Sequence, residues 1–306
     1  MSSCDRGDRR LIVDQFKAIR KPHMTNPENE PPVFEMTDQH WQSLGKSGAG
    51  HKHRYGHGAV VSGPFGQGGA ARLAARGALR IGAGLVSIVC RTDAVAEHAA
   101  QLNAIMVKPY ADDAGFQDHL SAIKPQAICI GPNFGLSSAS KTLLGQALTL
   151  GLPMCIDADA ITLLSDTSNP LPEISNRQSV MTPHEGELRR FIPNAFEETS
   201  CRVTLAQRAA EKAGCVVLFK GPDTVIAAPD HAPIIVSSAP FQHSSWLATA
   251  GSGDVLAGFI TGLLARGFDA FDAACLAAAL HFRCAEAFGP GLIAEDLPEM
   301  LPKLLR

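Results

Sequence analysis

The stretch "LATAGSGDVLAGFITGLLARG", residues 247 to 267, sets Gly251, Gly253 and Asp254 in front of a long apolar run of helical length. Glycines let the backbone approach an anion closely, and the free N–H groups at a helix start form a half-positive nest. A phosphate in transfer fits such a nest. Asp254 at the same end is placed to take the proton of a hydroxyl attacking that phosphate, as the base does in phosphoryl transfer. The helix's positive end is expected to keep this carboxylate ionised at neutral pH. The plainer role for Ser252 or Asp254 is to cap the helix.

Four other polar or glycine-rich turns follow apolar strand-like runs: "GPNFG", "DAD", "TPHEGE" and "KGPDT". In open α/β sheets, ligands bind beyond the carboxyl ends of the strands, so turns gathered on one rim read as a site. "KGPDT" offers Lys220 and Thr224 to a phosphate or a ribose, or it is a turn suited to Pro222 and Asp223. "TPHEGE" offers His184 beside Glu185 and Glu187; the alternative is a structural histidine and an acid that favours a first helical turn. Asp157 and Asp159 either hold magnesium through water, bind a ribose, or end a strand. His281, on an alanine-rich helix face, reads as a buried, hydrogen-bonded histidine. His51, His53 and His57 have no metal-ligand spacing with an acid or cysteine, and no protein metal site is assigned.

The elements that must position these groups alternate. "GHGAVVSG", "LVSIVC", "AICIG", "PMCID", "SVMTP" and "CVVLFKG" are short apolar runs bounded by turn residues, as buried parallel strands are. Helical spacing is predicted over 68 to 84, over "SASKTLLGQALTLG", over Glu185 to Phe191, and in two long helices near 252 to 266 and 270 to 288. "DTVIAAPDHAPIIVSS" reads as a hairpin turning at Asp230 and His231. The pattern predicts an α/β fold with a mainly parallel central sheet covered on both faces. Residues 1 to 50 are polar and Pro-rich, so an extension or linker is expected there, with one short helix near Leu11 to Ile19 and the folded body from His51 to residue 306.

With 306 residues, 45% hydrophobic and 19% charged, the chain can bury a sizeable core. A net charge of −3 gives no electrostatic case for nucleic acid or an anionic membrane as partner. The eight cysteines form no CxxC pair, which suits buried thiols in a reducing compartment. No apolar run reaches the roughly 20 residues of a membrane span, and no secretory signal is visible. A cytoplasmic protein is the expectation. The alanine-rich helices would allow packing between subunits of a homo-oligomer.

The ordered set "GAARLAARGALRIGAGLV", "IGPNFG", "DADA", "TPHEGE", "KGPDT" and "LATAGSGDVLAG" resembles the ADP-dependent NAD(P)H-hydrate dehydratase family, over about residues 51 to 290. The resemblance implies a three-layer αβα ribokinase-like fold and the repair of hydrated NADH or NADPH. In that reaction ADP would phosphorylate the ring hydroxyl and leave AMP, and loss of phosphate would then restore the double bond, with magnesium as cofactor. Matched by motif, Ala70, Gly135, His184 and Asp254 would contact the hydrated dinucleotide, with Asp254 catalytic. Lys220, Gly221, Pro222, Asp223, Thr224 and Gly253 would hold the adenosine nucleotide. The chain departs from the family pattern at Asn133, where glycine is usual, at Ile161-Thr162 after "DADA", and in "FQHSSW" before the last motif. The first 50 residues are too short for the epimerase domain that many relatives carry, so dehydratase activity alone is expected. Two other readings stay open: a kinase of the same fold acting on a vitamin precursor or sugar hydroxyl, and a nucleotide-binding module without turnover.

Overall fold

Strand and helix alternate along the described residues of this computed structural model, 31–46, 51–174 and 176–305. Contacts divide the chain between Pro31 and Pro32, and the fold belongs to the second part. Helix α1 (Asp38–Leu44) comes first, then β1 (His57–Val61), α2 (Gly69–Arg80), β2 (Leu85–Arg91), α3 (Val95–Ala99) and β3 (Met106–Tyr110). Helix α4 (Phe116–Ile123), β4 (Ala127–Ile130), α5 (Ser138–Leu148), β5 (Met154–Ile156), α6 (Ala158–Leu164) and β6 (Val180–Met181) continue the alternation. Then come α7 (Glu185–Phe191), α8 (Pro193–Glu198), α9 (Arg202–Ala213) and the strands β7 (Val216–Phe219), β8 (Thr224–Ala228) and β9 (His231–Val236). Three helices close the fold: α10 (Ser252–Ala265), α11 (Ala270–Phe288) and α12 (Asp296–Leu304).

The strands form one sheet in the order β3-β2-β1-β4-β5-β6-β7-β8-β9. Pairing is parallel from β3 through β7 and antiparallel for β7–β8 and β8–β9. The hairpin expected at the end is present, with Pro229 and Asp230 as its turn and His231 already in β9. All five residues of β1 are buried, which requires cover on both faces. Alternate strand residues divide between two cores: Val60, Cys129 and Leu218 pack with α2, α10 and α11, whereas Val61, Ile130 and Phe219 pack with α4, α5, α6 and α9. The architecture is therefore three layers, αβα. No helix among the described residues is long and apolar enough to cross a membrane.

Two expectations change. The folded body begins at Pro32 rather than near His51. Phe34 N–H donates to Ile235 O (2.7 Å), Ile235 N–H donates to Pro32 O (2.9 Å), and Leu44 is buried. The Arg266 guanidinium donates to the carbonyls of Ser43, Leu44 and Gly45, satisfying groups the end of α1 leaves open. A Pro-rich polar segment needs little apolar content when backbone bonds and one arginine fasten it. The helix expected near Leu11 to Ile19 lies outside the described residues. The alanine-rich α11 also has little left to offer a second subunit, because Ala273, Ala274, Ala277, Ala278 and Ala285 are buried in this chain's own core.

Candidate active site

Helices α2 and α10 run parallel in close contact: Leu73 lies against Gly251, Ala74 against Gly258 and Ala78 against Gly262. A Cβ on Gly258 would stand 2.1 Å from Ala74 O, so only glycine permits this approach. The packing brings the starts of both helices, with Ala70 and Asp254, to the same edge of the sheet. Asp157 follows β5 at this edge, Thr182 and Pro183 follow β6, and Lys220 follows β7. Lys220 N–H donates to Pro183 O (2.8 Å), and Thr182 N–H donates to Ile156 O (3.0 Å), so the backbone beyond the strands holds these residues side by side.

Their side chains form a charged cluster. Lys220 Nζ donates to Asp157 Oδ1 at 2.7 Å, Thr182 Oγ1 donates to the same oxygen at 2.8 Å, and Glu187 Oε2 lies 3.9 Å from Nζ. Burial alone would lower the Lys220 pKa; the charges of Asp157 and Glu187 outweigh it and raise it. A Cβ built on Gly253 would stand 3.7 Å from Lys220 Nζ, so the ammonium sits at the first turn of α10. Asp254 is in that turn. Burial first, and then the charge of Asp157, push its carboxyl up to about 7 against the opposing pull of Lys220. The expectation of a fully ionised carboxylate at neutral pH is therefore corrected: a buried site with a second acid outweighs the helix terminus.

A cleft of about 500 Å³ opens beside this cluster, lined among others by Lys220, Gly221, Pro222, Thr224, Gly253 and His281. Of the residues expected to hold nucleotide, Asp223 does not line it: its Oδ1 accepts from Ser237 Oγ and Ser238 N–H, both at 2.9 Å, and shapes the turn. His281 Nε2 donates to Ser252 O at 3.0 Å and is neutral, burial holding its pKa near 4, as expected of a core histidine. Of the remaining substrate candidates, Gly135 bonds an acid outside the cluster and His184 touches its edge. Gly135 N–H donates to Asp159 Oδ2 (2.8 Å) in the turn where Asn133 adopts φ 50°, a conformation asparagine tolerates and glycine adopts freely. His184 is the N-cap of α7 and meets Glu187, which in turn faces Lys220.

The two acids read as magnesium, ribose or strand-end residues each give one oxygen to donors of the protein. Asp157 Oδ1 is taken by Lys220 and Thr182 and Asp159 Oδ2 by Gly135 N–H, and among the described residues no three His, Cys, Asp or Glu gather to hold a metal. His57 bonds Ser87 Oγ at 2.8 Å on β1 and β2, apart from the cluster.

The sequence matches the NAD(P)H-hydrate dehydratase family over residues 59–304. The chain belongs to this family. It is 33% identical over 254 residues to the bifunctional NAD(P)H-hydrate repair enzyme Nnr of Coxiella burnetii, covering 81% of this chain and 50% of that protein. The chain spans about half the length of the curated relatives it matches. An ADP/ATP-dependent NAD(P)H-hydrate dehydratase from Bacillus subtilis, co-crystallized with ATP/Mg2+, superposes with TM-score 0.73 at 27% identity, covering 90% of this chain and 98% of that one. A ribokinase-like superfamily protein from Enterococcus faecalis shares the fold, with TM-score 0.73 at 22% identity, covering 87% and 93% of the two chains. The fold is ribokinase-like, as the motifs of this family implied.

Motif reading missed one support of the site. Arg202, at the start of α9, donates to Phe219 O (3.2 Å) and Lys220 O (2.9 Å) and stacks over the Phe219 ring, bracing the "KGPDT" turn. Arg202 carries no sequence signal, because it acts from a helix with no motif of its own.

Proposed function

We propose that this chain repairs hydrated NADH and NADPH, using ADP as phosphoryl donor. Lys220, Gly221, Pro222, Thr224 and Gly253 face the nucleotide, with Asp223 shaping their turn; Ala70, Gly135 and His184 lie toward the hydrated dinucleotide. Asp254 takes the proton of the ring hydroxyl as its oxygen bonds the terminal phosphorus of ADP, and the bond from that phosphorus to the oxygen of AMP breaks. The new phosphate ester then leaves the ring carbon as inorganic phosphate, a proton leaves the neighbouring carbon, and the double bond returns. The products are NAD(P)H, AMP and phosphate. Magnesium carried on the nucleotide phosphates would neutralise charge on the transferring group. The reading concerns dehydration alone. A reducing compartment such as the cytoplasm suits the free thiols, among them the buried Cys129, Cys155 and Cys215.

The observation that supports this reading most is the meeting of Lys220 Nζ and Asp254 at the first turn of α10, beside the cleft. The test is incubation with hydrated NADH, ADP and magnesium, following the absorbance of the reduced nicotinamide and the release of phosphate. Recovery of absorbance with matching phosphate supports dehydration. A stable phosphorylated product without recovery identifies a kinase, and nucleotide binding without either product identifies a binding module.

A further inference from the structure

The proposed transfer uses Asp254 and Lys220 and leaves a third charge without a role. Asp157 is 2% exposed, and both of its hydrogen-bond donors, Lys220 Nζ and Thr182 Oγ1, converge on Oδ1. A carboxylate at that depth is costly unless well paired, and a buried ion pair is often no more stabilising than apolar residues of the same volume. Stability therefore does not explain it. Nor does simple attraction of phosphate, because a lysine on its flexible stem attracts phosphate best without acids beside it, and here Asp157 and Glu187 both offset its charge.

We infer that Asp157 is a positioning residue of the phosphoryl transfer: anchored by Thr182, its carboxylate locks Lys220 Nζ at the first turn of α10, beside the cleft and Asp254. The inference rests on the function proposed above and deepens it. A lysine whose charge is already offset adds little to ground-state binding of ADP. Fixed in place, it acts as charge builds on the transferring group, which is where an interaction accelerates the step. Asp254 faces Asp157 from the end of β5 and Lys220 from the end of β7, while Glu187 of α7, the Cys155 thiol and neutral His281 of α11 lie around Lys220. Removing the charge of Asp157 relieves repulsion on Asp254, so Asp254 should lose its proton at lower pH.

The experiment uses Asp157→Asn, which keeps shape and an acceptor oxygen but not the charge, beside Asp157→Ala and Thr182→Val. With hydrated NADH and ADP, Asp157→Asn is expected to lower kcat about tenfold, as the ion pair becomes an ammonium–amide hydrogen bond. Asp157→Ala should lose on the order of 10²-fold through misplacement of Lys220. ADP should bind Asp157→Asn as tightly as the parent or more tightly, and the acid limb of the rate profile should move to lower pH. Thr182→Val should lower kcat a few-fold with the limb unmoved. A merely structural role would instead weaken ADP binding in step with kcat and melting temperature, and that result overturns the inference, as does a folded Asp157→Asn with kcat within twofold of the parent. Should Asp157→Asn not fold, unchanged kcat in Thr182→Val overturns it. If the parent itself does not turn over hydrated NADH, the proposed function fails; calorimetric titration of ADP into Asp157→Asn still decides, because weakened binding contradicts the offset charge and equal or tighter binding upholds it.

Discussion

Helices α7 and α10 begin on the same edge of the sheet, each with glycine at its second position and an acid at its third, and the two acids have different surroundings. In α7 the N-cap is His184. Its Nδ1 accepts from Glu187 N–H (3.2 Å) and Glu187 Oε2 accepts from His184 N–H (2.7 Å), a closed capping box. In α10 the N-cap is Gly251, at φ 88°, and no side chain caps the helix. A Cβ there would meet Leu73 Cδ1 at 2.6 Å and Ala294 Cβ at 2.9 Å, so packing of α2 and the 294 region forbids a capping side chain. Ser252, next in line, turns its hydroxyl to Leu247 O (2.6 Å). An acid in the first turn closes a box where the N-cap has a side chain to answer it. Where the N-cap must be glycine, the acid is left to the ligand.

Lys220 stands between the two helix starts, and its loss should have the largest effect. Lys220→Ala strands the buried Asp157 carboxylate, so a destabilisation of about 3–5 kcal/mol is expected by chemical denaturation. The double variant Asp157→Asn/Lys220→Ala should recover most of it. No recovery would mean that the two residues are not coupled.

Asp254→Asn tests the open helix start directly. It keeps the size of the side chain, so the protein should fold and bind ADP, yet lose on the order of 10²-fold or more in turnover. Its stability should move the other way. A carboxyl raised from 3.8 to about 7 contributes stability that is full below pH 3.8 and lost as pH rises through 7. Asp254→Asn should therefore melt above the parent at pH 8, with the gap narrowing as pH falls and closing only near pH 4. Turnover within a few-fold of the parent would make Asp254 a second structural acid and remove the contrast.

The same titration shapes the rate. Because the base must be ionised, kcat/KM should fall about tenfold per pH unit below 7, rather than below the ordinary carboxylate value. A profile flat down to pH 5 would show that the base is another group.

The smallest effect is expected at the closed box. Glu187→Gln should cost about 1 kcal/mol of stability through the weakened cap, with turnover within a few-fold of the parent. A loss matching that of Asp254→Asn would show that Glu187 serves the reaction through Lys220 and that the two helix starts are not distinct in kind.

Motif order and short buried strands made the fold and the rim turns legible in the sequence, because local turn chemistry and periodicity are encoded in neighbouring residues. The unpatterned β3 and α9 and the Pro32 boundary were not legible; the boundary depends on partners far along the chain, Ile235 and Arg266. At the site, the sequence by itself determined that Gly251, Gly253 and Asp254 open a helix and that Lys220 ends a strand. Only the tertiary structure decided that Lys220 is shared with Asp157, 63 residues earlier, that Asp223 faces its own turn, and that Asp254 holds its proton to about pH 7. Ionisation and pairing follow from burial and from charges brought together across the sheet, and neither is a property of a local stretch of chain.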